Sequence, residues 1–231
     1  RLVDETSDVW IYGQYPGESI IQTIAEDPDS FFILDNLGNF PYYIAFNLNS
    51  DPEIIENFQA ELDAMKKDRK IDGITTYEKI VGKYIGPGCT ERSQTMEQVT
   101  NLVNLTADAM SRDATGTIAD IQSGRHPYID RNDPSLYVFI FSTGVDMIAN
   151  AAQPELAGTN FSGKTDVSGK KFRDEIVTNA LKQGHGSVRY SYSNPLETGI
   201  FYKETYFTLV TGSDKRQYIV CAGRYLPCDE I

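Results

Sequence analysis

A chain of 231 residues with a formal net charge of −12 has room for two modest hydrophobic cores, and one very large domain is the less favoured division. The acidic balance excludes a nucleic-acid partner and disfavours an anionic membrane surface, because no segment clusters the Lys and Arg that phosphates require. No apolar run reaches the roughly 18–20 residues needed to cross a bilayer, and a chain that opens on Arg1 with no signal peptide reads as a processed or cloned fragment whose membrane anchor would lie outside it.

Taken in order, Val9-Trp10-Ile11-Tyr12 and Phe31-Phe32-Ile33-Leu34 read as short buried strands, with a helix over 19–25 between them and a third strand over 42–46. Asp51-Pro52 reads as an N-cap followed by proline at the first helical position, and Ile54, Phe58, Leu62 and Met65 recur at helical spacing. A second helix is expected over 77–85. Alternating strands and helices make an α/β segment, and Gly86-Pro87-Gly88 ends it, so domains are expected at 1–87 and 88–231. The stretch Tyr42 to Phe46, then Asp51-Pro52-Glu53-Ile54, Phe58, Leu62, Met65-Lys66-Lys67-Asp68 and Lys83-Tyr84-Ile85-Gly86, resembles the closing segment of amino-acid-type extracellular solute-binding proteins. Arg69 stands where that family has glycine. The strands and loops of that family's first lobe are not found in the sequence, as expected if the lobe was cut away or if the segment serves as a scaffold, so none of its cleft residues carries over.

Past the boundary one long helix is expected over 91–121. Met96, Val99, Val103, Met110, Ala114, Ile118 and Ile121 form its apolar stripe, while Asp108, Arg112 and Asp120 are free to face solvent. About 30 residues span ~45 Å. The stripe reads as core packing; a homodimer seam along the helix is the second option, since four clean heptads are not present. Tyr137-Val138-Phe139-Ile140-Phe141 alternates β-branched and aromatic residues as a strand does, and it forms a hairpin with 146–150. An irregular loop over 153–169 leads to a helix over 170–183, followed by strands over 187–193, 202–210 and 217–225. The expected class is α+β: an antiparallel sheet with the long helix on one face and a loop-plus-helix cap on the other, leaving a pocket between cap and rings.

Ordered blocks across 91–226 carry a second resemblance. They are Leu136-Tyr137-Val138-Phe139, Ile148-Ala149-Asn150, the run Pro154 to Asn160, the run Asp166 to Phe172, Tyr190-Ser191-Tyr192-Ser193-Asn194-Pro195, Lys203-Glu204-Thr205-Tyr206 and Ala222-Gly223-Arg224-Tyr225. Together they are similar to single Cache domains, the PAS-like extracytoplasmic ligand-sensing modules of chemoreceptors and sensor kinases. Asn150 replaces the family's usual histidine and Tyr192 its usual tryptophan.

The expected ligand-binding residues are Tyr137, Phe139, Phe141, Asn150, Tyr190, Tyr192, Lys203 and Tyr206. Lys203 would present an ammonium to a carboxylate where water is excluded, or snorkel from an edge strand. Tyr190 and Tyr192 share a face and pair a ring with a hydroxyl; the alternative is ordinary strand aromatics. Phe139 and Phe141 supply wall or core, and Asn150 offers an amide hydrogen bond or caps a turn. Lys203 and Tyr206 point to one face only if a bulge separates them. Cys89 and Cys228, both in loops, are disulfide candidates, the alternative being three reduced thiols. No nucleophile-elbow, zinc-protease, phosphate-loop or paired-cysteine motif occurs, so neither an enzyme nor a cofactor nor a metal is expected.

The reading that follows is an extracellular or periplasmic sensor for a small carboxylate or amino acid, coupled to a membrane-anchored signalling module. The alternatives are a free solute-binding protein serving a transporter and a structural surface module whose pocket is filled by its own side chains.

Overall fold

The computed structural model describes residues 46–47, 49–69, 73–84, 86–90, 93–130 and 133–231. The strands expected over 9–12 and 31–34, the helix over 19–25 and all but the last residue of the strand over 42–46 lie outside these residues. Two compact units divide the chain, 1–59 and 60–231. Helix α1 runs Pro52–Lys67, with Glu53 in its first turn and Lys66 and Lys67 in its last, each sign placed to complement the macrodipole. The Asp51 carboxylate accepts from the Glu53 amide at 3.0 Å. Its apolar stripe is partly exposed: Ile54 is 60% and Phe58 44% exposed, although the Phe58 ring meets that of Phe46 edge to face at 5.6 Å and Leu62 and Met65 are half-buried.

Helix α2, Thr76–Tyr84, opens on a capping box. Thr75 Oγ1 accepts from the Glu78 amide at 3.1 Å, and Glu78 Oε2 accepts from the Thr75 amide at 2.8 Å. The expected single helix over 91–121 is two. Helix α3, Met96–Arg112, and helix α4, Ala114–Gln122, meet at Asp113, whose backbone leaves the helical region (φ −149°, ψ 88°). Its side chain accepts from the Gly116 amide at 2.9 Å and so caps α4. The apolar stripe survives the break: Val99, Val103, Met110, Ala114 and Ile121 are buried.

Strands β1 (Val138–Ser142), β2 (Met147–Asn150), β3 (His185–Asn194), β4 (Glu197–Thr211) and β5 (Gln217–Tyr225), with helix α5 (Phe172–Gln183) between β2 and β3, complete the domain. The sheet runs β2-β1-β5-β4-β3, antiparallel throughout. Because successive side chains alternate in direction, the register sorts the residues onto two faces. Lys203 pairs with Tyr190 and Tyr225, Phe207 with Cys221, and Cys221 with Phe139, which pairs in turn with Asn150. The other face holds Val138, Ile140, Tyr206, Val220 and Ala222. There Gly212, of the same parity on the β4–β5 turn, comes so close to α4 that a Cβ on it would lie 3.0 Å from that of Ala114.

The start and end of the domain meet. Short parallel bridges join Gly88 to Phe201 and Thr90 to Pro227, and Cys89 is disulfide-bonded to Cys228 across 139 positions. Cys221 is a buried free thiol.

Candidate functional site

Lys203 stands in the middle of β4 and is 0% exposed. A lysine fits there because Gly223 lies on the neighbouring strand: a Cβ on that glycine would sit 2.9 Å from Lys203 Cε. The stem passes over this gap. Its ammonium donates to the Tyr137 hydroxyl at 2.9 Å and to the Tyr225 hydroxyl at 3.4 Å, and the Tyr225 hydroxyl in turn donates a hydrogen bond to the Ser193 carbonyl. Nζ lies 4.1 Å from the ring centre of Tyr137, 4.6 Å from Tyr225, 5.7 Å from Tyr192 and 5.9 Å from Phe139, an aromatic cage whose ring faces favour a cation. Burial works against the charge and pulls the lysine down to about 7. The same burial pushes the Tyr137 and Tyr225 hydroxyls well above their ordinary range, so both remain protonated.

A second cation comes from the cap. Arg173, in the first turn of α5, is 2% exposed. Its guanidinium lies 4.3 Å from the ring centre of Phe161, 4.2 Å from Phe172 and 5.7 Å from Tyr192. Tyr192 therefore has both cations at the same distance from its ring. Among the described residues neither cation has an ion pair: the acid nearest Lys203 in sequence, Glu204, points to the opposite face and is held by Arg189 and Arg224 at 3.4 and 3.3 Å.

The register gathers Tyr137, Phe139, Phe141, Asn150, Tyr190, Tyr192 and Lys203 onto the face under α5. Tyr190 shares its hydroxyl with Thr205 at 2.8 Å, and Phe139 and Phe141 pack edge to face at 5.7 Å. Asn150 uses its side-chain oxygen in the turn, accepting from the Ala152 and Gln153 amides at 3.0 and 2.9 Å. Tyr206 does not belong with them. Pairing runs without a bulge from Lys203 to Tyr206 on both sides of β4, so an offset of three turns Tyr206 to the far face, where its ring lies 6.3 Å from that of His185. Nor does the face lie open: the Phe172 ring lies flat on Tyr190 at 3.7 Å, and the cap is down on the sheet.

Arg173, Tyr225, Phe161, Phe172 and Gln153 join the site without having been singled out. For Arg173 a partial signal existed, one it shares with Lys170 and Lys171 beside it. A cation in the first turn of a helix opposes the macrodipole, and a residue placed against local preference has a reason elsewhere. Tyr225 was accessible by counting in twos from Cys221 along β5.

No curated protein matches the chain. Among the solved structures that match the chain, three can be described. The "periplasmic sensor domain of chemotaxis protein" is 22% identical, with a TM-score of 0.43, over 56% of this chain and 88% of that one. A Cache chemosensory domain described for carboxylic acid recognition is 21% identical, with a TM-score of 0.45, over 57% and 99%. A methyl-accepting chemotaxis protein from Vibrio parahaemolyticus is 16% identical, with a TM-score of 0.42, over 75% and 96%. The family model described as single Cache domain 2 matches residues 90–226, which takes in the long helix pair, all five strands, the cap and both buried cations: the chain belongs to the single Cache domain 2 family.

Proposed function

We propose that residues 88–231 form an extracytoplasmic sensing module whose ligand is a small carboxylate held between Lys203 and Arg173. The observation that carries this reading is the pair of buried cations that approach the same Tyr192 ring, each among further rings of its own, with no acidic partner among the described residues. Leaving such charges without a counter-ion is costly, and an entering anion supplies the counter-charge to both. Arg173 offers a planar fork for two carboxylate oxygens and Lys203 a point charge, while the hydroxyls of Tyr137 and Tyr225 supply neutral polar contacts. The same charges separate the two ligand classes left open by the sequence. An amino acid would bring its α-ammonium among like charges with no described carboxylate to receive it, so a carboxylate lacking that group is favoured.

The mechanism is a population shift. With the cap down on Tyr190, entry of a ligand requires α5 to move. The state that accommodates the anion then differs in cap position from the state without it, and a membrane-linked signalling partner reads that difference. The test is a thermal-shift series with acetate, propionate and lactate set against glycine and alanine. A ligand at 100 times its dissociation constant adds ~2.7 kcal/mol, or about 5–10 °C at this size. The carboxylates are expected to shift the midpoint and the amino acids to leave it in place. Lys203→Met is expected to weaken binding ~30- to 100-fold and so to cut the shift at the same ligand concentration to about a third or less. A response to alanine equal to that of propionate would overturn the charge argument.

A further inference from the structure

Gln153, in the loop after β2, is outside the cage but holds one of its members. Its Oε1 accepts from the Tyr192 hydroxyl at 3.1 Å, and its Nε2 donates to the Gly73 carbonyl at 3.3 Å. One end of the amide accepts and the other donates, which uses it in the only sense its chemistry allows. The Gly73 carbonyl also receives Arg69 Nη1 at 2.7 Å. Gly73 has φ +78°, in the left-handed region, and it touches the amide so closely that a Cβ there would lie 2.6 Å from Nε2 and 2.8 Å from Oε1. On the other side, the Gln153 backbone is fixed by Asn150 at 2.9 Å.

Gly73 belongs to a stretch that precedes the family's domain yet is built into it. Ile74 is 2% exposed and lies in the same core cluster as the sheet residues. Asp68 accepts from the Thr76 amide and hydroxyl at 2.9 and 2.7 Å. On α2, a Cβ at Gly82 would lie 2.9 Å from Ile200 Cγ1 and 3.1 Å from Val167 Cγ2, so this helix is seated against both β4 and the cap loop. The matched segment begins only at residue 90. A piece of chain from before that point therefore makes a polar contact one residue removed from the cage.

We propose that Gly73 and Gln153 are positioning residues for ligand binding: the stretch upstream of the Cache domain sets the place of the Tyr192 hydroxyl through the Gln153 amide. The proposal rests on the carboxylate site described above. Tyr192 is the ring that both cations approach at 5.7 Å, so a change in its tilt alters what each cation presents to an anion. With the Gln153 backbone held by Asn150, any crowding at Gly73 falls on the Gln153 side chain, and through it on Tyr192.

The test is a double-mutant cycle on the full chain, with acetate and propionate titrated separately by calorimetry and the melting midpoint of each variant recorded alongside. Gly73→Ala and Gln153→Ala are each expected to raise the dissociation constant about 5- to 10-fold, and the double variant to be no weaker than the weaker-binding single variant, because both act on one contact. Effects that multiply in the double variant would show that Gly73 acts by another route and overturn the proposal. So would an unchanged dissociation constant in Gln153→Ala with a lowered midpoint, which assigns the amide to stability alone. A wild-type chain that binds neither acid removes the carboxylate reading itself, and this proposal with it. Binding by the wild type with no response in the variants removes only the proposal.

Discussion

Lys203 is under two opposed pressures, burial that favours the neutral amine and ring faces with hydroxyl acceptors that favour the ammonium. Burial brings it down to about 7, whereas in the unfolded chain it titrates near 10.4. Between those values the unfolded state holds the extra proton, so stability rises with pH across that window. Binding of an anion needs the ammonium and follows the opposite course. The ligand-free midpoint is expected to climb between pH 7 and pH 9 while propionate affinity falls, approaching tenfold per pH unit above about 7. Melting curves and calorimetry at the same pH values check both signs, and parallel changes would remove Lys203 from the site. A second expectation concerns the gap beneath its stem. Gly223→Ala places a methyl 2.9 Å from Cε and 2.5 Å from Thr205 Oγ1, so it is expected to weaken propionate binding at least tenfold without deleting any polar group. The importance of Lys203 was legible in its apolar strand surroundings, and the turning away of Tyr206 in simple parity. Arg173 was hidden among Lys170 and Lys171, and only packing distinguishes the one basic residue of the three that faces inward.

At the scale of elements, the order of strands and cap follows from period and punctuation, although β4 runs Glu197–Thr211 and so starts five residues before the expected 202. Strand β5 begins and ends at the expected residues 217 and 225, and α5 begins two residues past the expected 170 and ends as expected at 183. The break between α3 and α4 is different in kind. Asp113 is neither glycine nor proline, and the step from Met110 to Ala114 keeps the apolar stripe in phase, so periodicity carries no trace of it. The hydrogen bond from the Gly116 amide to the Asp113 side chain, at 2.9 Å, satisfies a donor that the broken helix would leave without a partner. Asp113→Ala is expected to cost about 1 kcal/mol and lower the midpoint by about 2–4 °C, with propionate affinity unchanged because the break is on the face away from the cage. A loss of affinity would show that the α3–α4 junction and the cap respond to one another.

For the molecule as a whole, closure depends on how its ends are joined. Cys89 and Cys228 are 139 positions apart, and a loop of that length removes roughly 5 kcal/mol of chain entropy from the unfolded state. Position relative to glycine and proline marked these two cysteines as loop residues and Cys221 as strand-bound, but only the fold brings the two loops together. Backbone pairing already does part of that work: Gly88 donates to the Ile200 carbonyl at 2.7 Å, Tyr202 to Gly88 at 3.0 Å and Thr90 to Leu226 at 3.1 Å. These bonds exist only in the folded state, whereas the disulfide also acts on the unfolded chain, so the two contributions are separable. Cys89→Ala and Cys228→Ala, singly or together, are expected to lower the midpoint by about 10–20 °C, with the double variant no worse than either single. The reductant-treated wild type should match them, and Cys221, buried and with its thiol pushed well above the ordinary range, should stay unreactive toward alkylating agents until the chain unfolds. A midpoint that moves by less than about 3 °C would place the closure in the backbone bridges rather than in the disulfide.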